Sequence, residues 1–96
     1  MEFNDPKARF VRAPDQLSCE LDGEIATLNL GTQFYFGFTD VAAVIWRELE
    51  SPRTMSELSD AILSEFNVQR EECLKDLSIF LRTLQNRGLL EINSVV

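Results

Sequence analysis

The hydrophobic period of this chain changes once, at Thr39, and that change limits what the chain can build. Before it, Leu17, Cys19 and Leu21 point one way while Ser18, Glu20 and Asp22 point the other, the alternation of strands with one buried face. Asp22-Gly23 follows at once. A two-residue hairpin of type I′ needs positive φ at both turn positions, and this dipeptide accepts it. A second strand runs over about Glu24–Leu30, with Ala26, Leu28 and Leu30 on one face. Gly31-Thr32 turns the chain into a third strand, Gln33–Phe38. Phe34, Phe36 and Phe38 share one face of it, and three aromatics on one face read as core. Gln33, Tyr35 and Gly37 take the other face, with Tyr35 exposed. The expectation is a three-stranded antiparallel meander whose last strand is an edge.

From Thr39 the apolar spacing becomes helical. Thr39 or Asp40 caps a first helix to about Glu50, with Val41, Val44, Ile45, Trp46 and Leu49 as its stripe. Ser51-Pro52 ends it. Thr54-Met55-Ser56-Glu57 is a capping box: the Thr54 hydroxyl accepts from the Glu57 amide, and the Glu57 carboxylate accepts from the Thr54 amide. It opens a second helix to about Phe66. After Asn67–Gln69 a third helix spans about Arg70–Arg87, and Gly88 supplies its left-handed stop. Leu89–Ile92 reads as a short last strand or a packed tail. Residues 1–16 hold Pro6 and Pro14 and no sustained period. They read as an N-terminal arm with one extended piece around Phe10–Arg12, and 17–96 as the single domain. The fold class is α+β, the meander packed against three helices.

The third helix is the most informative. Leu77 and Leu84 centre its apolar stripe, with Leu74 and Leu81 on one flank. On the other flank lie Cys73 and Phe80, then Arg87, Asp76 and Thr83. A flank that mixes a large aromatic with polar groups is either a core rim or one wall of a groove.

Composition removes several function classes. The 96 residues include no histidine, so Ser-His-Asp and Cys-His catalysis are absent. Cys19 and Cys73 have no zinc-ligand spacing and sit in apolar patterns, which reads them as buried small hydrophobes. The four glycines are isolated, so no phosphate loop forms. Neither a metal nor a cofactor is implied. The net charge of −7 repels a phosphate backbone. No apolar run approaches the roughly 20 residues of a membrane span. No basic-then-apolar leader opens the chain, which predicts a cytoplasmic address.

Gly23 to Leu90 resembles the PqqD-like family of leader-peptide-binding domains, the RiPP recognition elements. The residues that carry the likeness are Asp22-Gly23-Glu24, Leu28-Asn29-Leu30, Tyr35-Phe36-Gly37-Phe38, Ile45-Trp46, Pro52-Arg53-Thr54, Glu57-Leu58, Phe80-Leu81 and Arg87-Gly88-Leu89-Leu90. Each piece is common, whereas their order and spacing are specific. Ala42 stands where the pattern often has glycine, and Thr39-Asp40 where Leu-Asn is usual. The resemblance implies a winged-helix-like fold. It implies a non-catalytic protein that binds the leader of a ribosomal precursor peptide by β-strand addition and delivers it to a leader peptidase or another modifying enzyme. Carried across residue by residue, the leader-peptide-binding positions are Gln33, Phe34, Tyr35, Phe36 and Gly37 on the strand, and Asp76, Phe80, Thr83 and Arg87 on the helix. Gly23-Glu24, Tyr35-Phe36-Gly37 and Ile45-Trp46 are closer to the lasso-peptide group. The alternative within the family is a PqqD-type peptide chaperone serving a radical SAM enzyme in pyrroloquinoline quinone or other RiPP biosynthesis. Outside it stand a winged-helix DNA-binding domain, disfavoured because its base-reading positions lack a basic cluster, and an adaptor subunit with no leader role. The expected state is a monomer or weak homodimer without nucleic-acid or membrane partners.

Overall fold

Local signals nucleate most of the elements in the computed structural model, which describes residues 5–93. The first four residues of the expected arm and the last three of the expected domain lie outside the described residues. Asp22 and Gly23 have φ of 52° and 82°, as the two-residue hairpin requires. They join β2 (Gln16–Leu21) to β3 (Glu24–Asn29), and β3 pairs on to β4 (Tyr35–Phe38). Three helices follow: α1 (Asp40–Glu48), α2 (Met55–Glu65) and α3 (Arg70–Asn86). Thr54 and Glu57 form the reciprocal capping box, at 2.9 and 3.2 Å. Thr39 is the N-cap of α1 but makes no side-chain cap bond, and α1 ends at Glu48, before Glu50. Gly88 stops α3 at φ 72°.

A second sheet completes the α+β fold. The extended piece read at Phe10–Arg12 is part of β1 (Arg9–Arg12). It is the central strand between β5 (Arg53–Thr54) and β6 (Leu90–Asn93), antiparallel to both. Phe10 is fully buried in the core with Trp46, Leu49, Leu58, Leu77, Leu81 and Leu89. Trp46 of α1 joins the two sheets. Its carbonyl accepts from the Arg12 guanidinium of β1 at 2.7 and 2.9 Å, and that guanidinium also lies 4.7 Å over the indole ring. The indole N–H donates to Ser18 of β2 at 3.0 Å, and the ring lies 5.0 Å from Phe38 of β4.

In β3 the meander buries the opposite face from the one the Ala26–Leu28 alternation marks, and β2 stays exposed, while Phe36 and Phe38 of β4 turn inward as expected. Leu17 pairs with Leu28 and Cys19 with Ala26, and the register continues to Tyr35 and Gly37. These residues share one face, and it is the outer one. Leu17 and Leu21 are 62% and 72% exposed, and Cys19 is exposed as well, contrary to its reading as a buried residue. The inner face carries Ser18, Ile25, Thr27, Asn29, Phe36 and Phe38. Its polar members are satisfied: Ser18 and Thr27 hydroxyls are 2.9 Å apart, and Ser18 also accepts from Trp46. Burying a hydroxyl costs little once it is hydrogen-bonded.

β4 is also shorter than the expected Gln33–Phe38 strand. Gln33 sits at φ 64°, and its amide donates to the Asn29 carbonyl at 2.7 Å. The loop therefore lasts to Phe34, which is 59% exposed instead of core. Among the described residues, no helix is long and apolar enough to cross a membrane.

Candidate functional site

β4 is the last strand of its sheet and, among the described residues, pairs only with β3. Its free edge can be read from the pairing. The Asn29 amide donates to the Phe34 carbonyl at 2.9 Å, which makes Asn29 and Phe34 a hydrogen-bonded pair. Antiparallel ladders alternate hydrogen-bonded with non-bonded pairs. Thr27–Phe36 and Ile25–Phe38 are then bonded pairs, while Leu28–Tyr35 and Ala26–Gly37 are not. The N–H and C=O groups of Tyr35 and Gly37 thus point away from β3, towards the open edge. Tyr35 is 71% exposed.

One flank of α3 faces that edge. Asp76, Phe80, Thr83 and Arg87 recur at helical spacing and lie on the side turned to β4. The Phe80 ring meets Phe38 edge-on at 5.8 Å, and the Arg87 guanidinium lies 6.0 Å from the Phe36 ring. Phe36, Phe38 and Phe80 therefore form an aromatic floor, with Tyr35 and Gly37 along one rim and Asp76, Thr83 and Arg87 along the other. Gln33 and Phe34 lie in the loop that leads into β4. Of the nine positions expected from the sequence, Phe36, Phe80 and Arg87 take part in these ring contacts, and Tyr35 and Gly37 lie on the open edge. Asp76 and Thr83 follow on the same helix flank by spacing, and Gln33 and Phe34 stay in the loop.

Beyond Phe80 the groove opens into a cavity of about 310 Å³ between the helices. Val41, Ala42 and Ile45 of α1, Ile62 of α2, and Cys73, Asp76, Leu77 and Phe80 of α3 line it, with Val68 and Glu72 at its border. Burial pushes the Cys73 thiol pKa up, which keeps that thiol neutral. Sequence reasoning missed the α1 contribution, because Val41, Ala42 and Ile45 are indistinguishable there from ordinary core positions. The outer sheet face was missed for the opposite reason, since its leucines look like core. Among the described residues no group of three His, Cys, Asp or Glu side chains could hold a metal ion.

The arrangement is an unpaired strand edge beside an apolar floor, a geometry that accepts an extended peptide as an added strand. Comparison with known proteins decides the family. The model for "Coenzyme PQQ synthesis protein D (PqqD)" matches residues 24–90. The chain belongs to the PqqD family. Among solved structures, TbiB1 in complex with the TbiA(β) leader peptide superimposes with a TM-score of 0.80 at 38% identity, covering 84% of this chain and 94% of that one. A lasso peptide synthetase B1 complexed with the leader peptide shares the fold, with a TM-score of 0.75 at 21% identity over 85% of this chain and 96% of that one. No curated protein matches.

Proposed function

We propose that this PqqD-family chain is a non-catalytic recognition element that binds the leader of a ribosomal precursor peptide and hands it to a processing enzyme in lasso-peptide biosynthesis. The observation that carries this reading is the open β4 edge facing the Phe80 flank of α3. Tyr35 and Gly37 offer the leader backbone two donors and two acceptors. Gln33, Phe34 and Phe36 flank them, and Asp76, Phe80, Thr83 and Arg87 close over the other side. Main-chain pairing supplies affinity, and pockets at alternate positions supply selectivity. The cavity behind Phe80 suits one large apolar leader side chain, whose burial contributes roughly 1.5–3 kcal/mol. The TbiB1–leader complex, at 38% identity, supports leader binding over duplex DNA. The sequence features nearest the lasso group support that pathway over the quinone pathway.

Delivery needs a second surface, and the outer face of the meander supports this half of the proposal. Leu17, Leu21 and Tyr35 are all exposed on it, beside Leu28 and Ala26. Exposed apolar clusters of this kind mark protein contacts. A leader strand added to β4 would extend the same face. A leader peptidase docking there would touch carrier and peptide together, so the face is assigned to that enzyme.

The test is a titration of ¹⁵N-labelled protein with the synthetic TbiA(β) leader. Saturable shifts centred on Tyr35–Phe38 and Phe80–Arg87 are expected. Unchanged spectra, or shifts centred on β1, β5 and β6, would overturn the reading.

A further inference from the structure

We infer that Asn29 is a positioning residue that holds the two walls of the groove at one spacing before a peptide arrives, an inference that rests on the leader-binding reading. Asn29 ends β3 and is 5% exposed, so it touches no peptide itself. Its side chain reaches both walls. Oδ1 accepts from the amides of Gly31 at 2.9 Å and Thr32 at 3.2 Å, inside the loop that leads into β4. Nδ2 donates to the Arg87 carbonyl at 2.9 Å, at the C-terminal end of α3. The main chain of Asn29 engages the same loop through Gln33 and Phe34.

The packing around this amide is tight on the Gly88 side and ordinary on the Gly31 side. A Cβ on Gly88 would come within 3.1 Å of Nδ2, and one on Gly31 within 3.4 Å of Oδ1. Glycine at 88 thus serves two needs, the left-handed φ that ends α3 and the close approach of the Asn29 side chain. A shorter or charged residue at 29 cannot make all three bonds. Without the bond to Arg87, the last turn of α3 loses its hydrogen-bonded tie to the end of β3. Arg87 and Thr83 would then drift relative to Tyr35 and Gly37. A groove already set at its bound width spares the complex part of its ordering cost.

Two substitutions separate the parts. Asn29→Asp keeps the acceptor for Gly31 and Thr32 but places a carboxylate oxygen against the Arg87 carbonyl. Asn29→Ser is a second variant, with a hydroxyl too short to span to α3. Both are titrated with the TbiA(β) leader peptide at a temperature where thermal melts show them fully folded, with amide exchange measured in the free proteins. Leader affinity should fall about tenfold in each, chiefly through faster release. Exchange should quicken at Gln33–Phe38 and Arg87–Leu89 and stay unchanged in α1. Wild-type affinity in either folded variant would overturn the positioning role. So would exchange that rises evenly along the chain, which is the mark of general destabilisation. If the wild-type chain itself leaves the leader unbound, the leader-binding reading fails first, and this inference with it.

Discussion

The two sheets of this molecule are both three-stranded and antiparallel, yet they differ in what their edges face. In the β5–β1–β6 sheet the central strand carries the fully buried Phe10. One edge, β5, is two residues long and runs straight into the capping box of α2. Short edges of this kind discourage added strands, which closes the β5 side; the other edge, β6, packs beside α3. In the β2–β3–β4 sheet the last strand turns the amides and carbonyls of Tyr35 and Gly37 outward, next to a helix flank with an aromatic floor. The first sheet ties the chain's distant ends into the core, and the second offers a place for another chain. Trp46 lies between them, bonded to Arg12 on one side and Ser18 on the other. The open edge can therefore stay unsatisfied without loosening the fold, because the fold's cohesion comes from elsewhere.

Substitutions on the two sides should accordingly fail in different ways. Phe10→Ala has the largest expected effect. Removing a fully buried aromatic from the closed sheet should lower stability by about 3–5 kcal/mol, read by denaturant unfolding. A loss under about 1 kcal/mol would mean that the closed sheet does not hold the core. Tyr35→Pro should do the reverse. The lost N–H points away from β3, and edge strands tolerate proline. The melting temperature should stay near wild type while leader binding disappears in calorimetry. A folded proline variant that still binds would show that the peptide does not pair with β4.

Much of the open sheet was legible from the chain. Of the closed one, an extended piece at β1 and a short last strand or packed tail at β6 were expected, but their pairing was not. The Asp22-Gly23 hairpin, the Thr54–Glu57 box and the Gly88 stop are local devices, so neighbouring residues announce them. The β1 strand pairs with segments from the middle and the far end of the chain, and no local pattern records such pairings. Strand β5 is too short to have a period at all. The inverted face of the meander has a separate cause. Alternation shows which residues share a face and leaves open which face is buried. Here Ser18, Thr27 and Asn29 go inward because each finds a hydrogen-bond partner there. The leucines stay outside, at a surface that the proposed function uses. The candidate site was readable as a set of residues on α3 and β4. The loop before β4 was not, because Gln33 adopts a left-handed φ where a turn at Gly31-Thr32 was expected.

Smaller effects sharpen the contrast within the open half. Phe80→Ala removes the floor shared by the groove and the cavity. Leader affinity should weaken by roughly 1–3 kcal/mol in calorimetry, measured alongside a melt to separate any loss of core packing. Leu21→Lys changes only the outer face. Leader affinity should remain within about twofold, since exposed substitutions away from a contact cost little. Peptidase turnover of the carried precursor should fall in a reconstituted cleavage assay. If both quantities fall together, the outer face and the groove are one surface.

The smallest effect belongs to the closed half and is electrostatic. Glu57 accepts from the Thr54 amide, and that bond holds its carboxyl pKa below the usual range. Glu20 is lowered in the same direction by the hydrogen bond from Arg47 on the outer rim of the meander. A carboxylate with a depressed folded-state pKa adds stability above its unfolded value. That stability is lost as pH falls through the lower, folded value. Melting temperature should therefore be flat near neutrality and decline below the ordinary carboxylate range. Glu57→Gln keeps a capping acceptor but carries no titrating charge, so its decline should be shallower. Both groups are exposed, so the difference between the two curves should be modest and should shrink further in high salt. Leader affinity measured across the same pH range should be the same for wild type and Glu57→Gln, because the capping box lies at the closed sheet, away from β4. A change in leader affinity on Glu57→Gln would mean that the two halves are coupled through α2, and that the closed sheet does more than hold the groove in place.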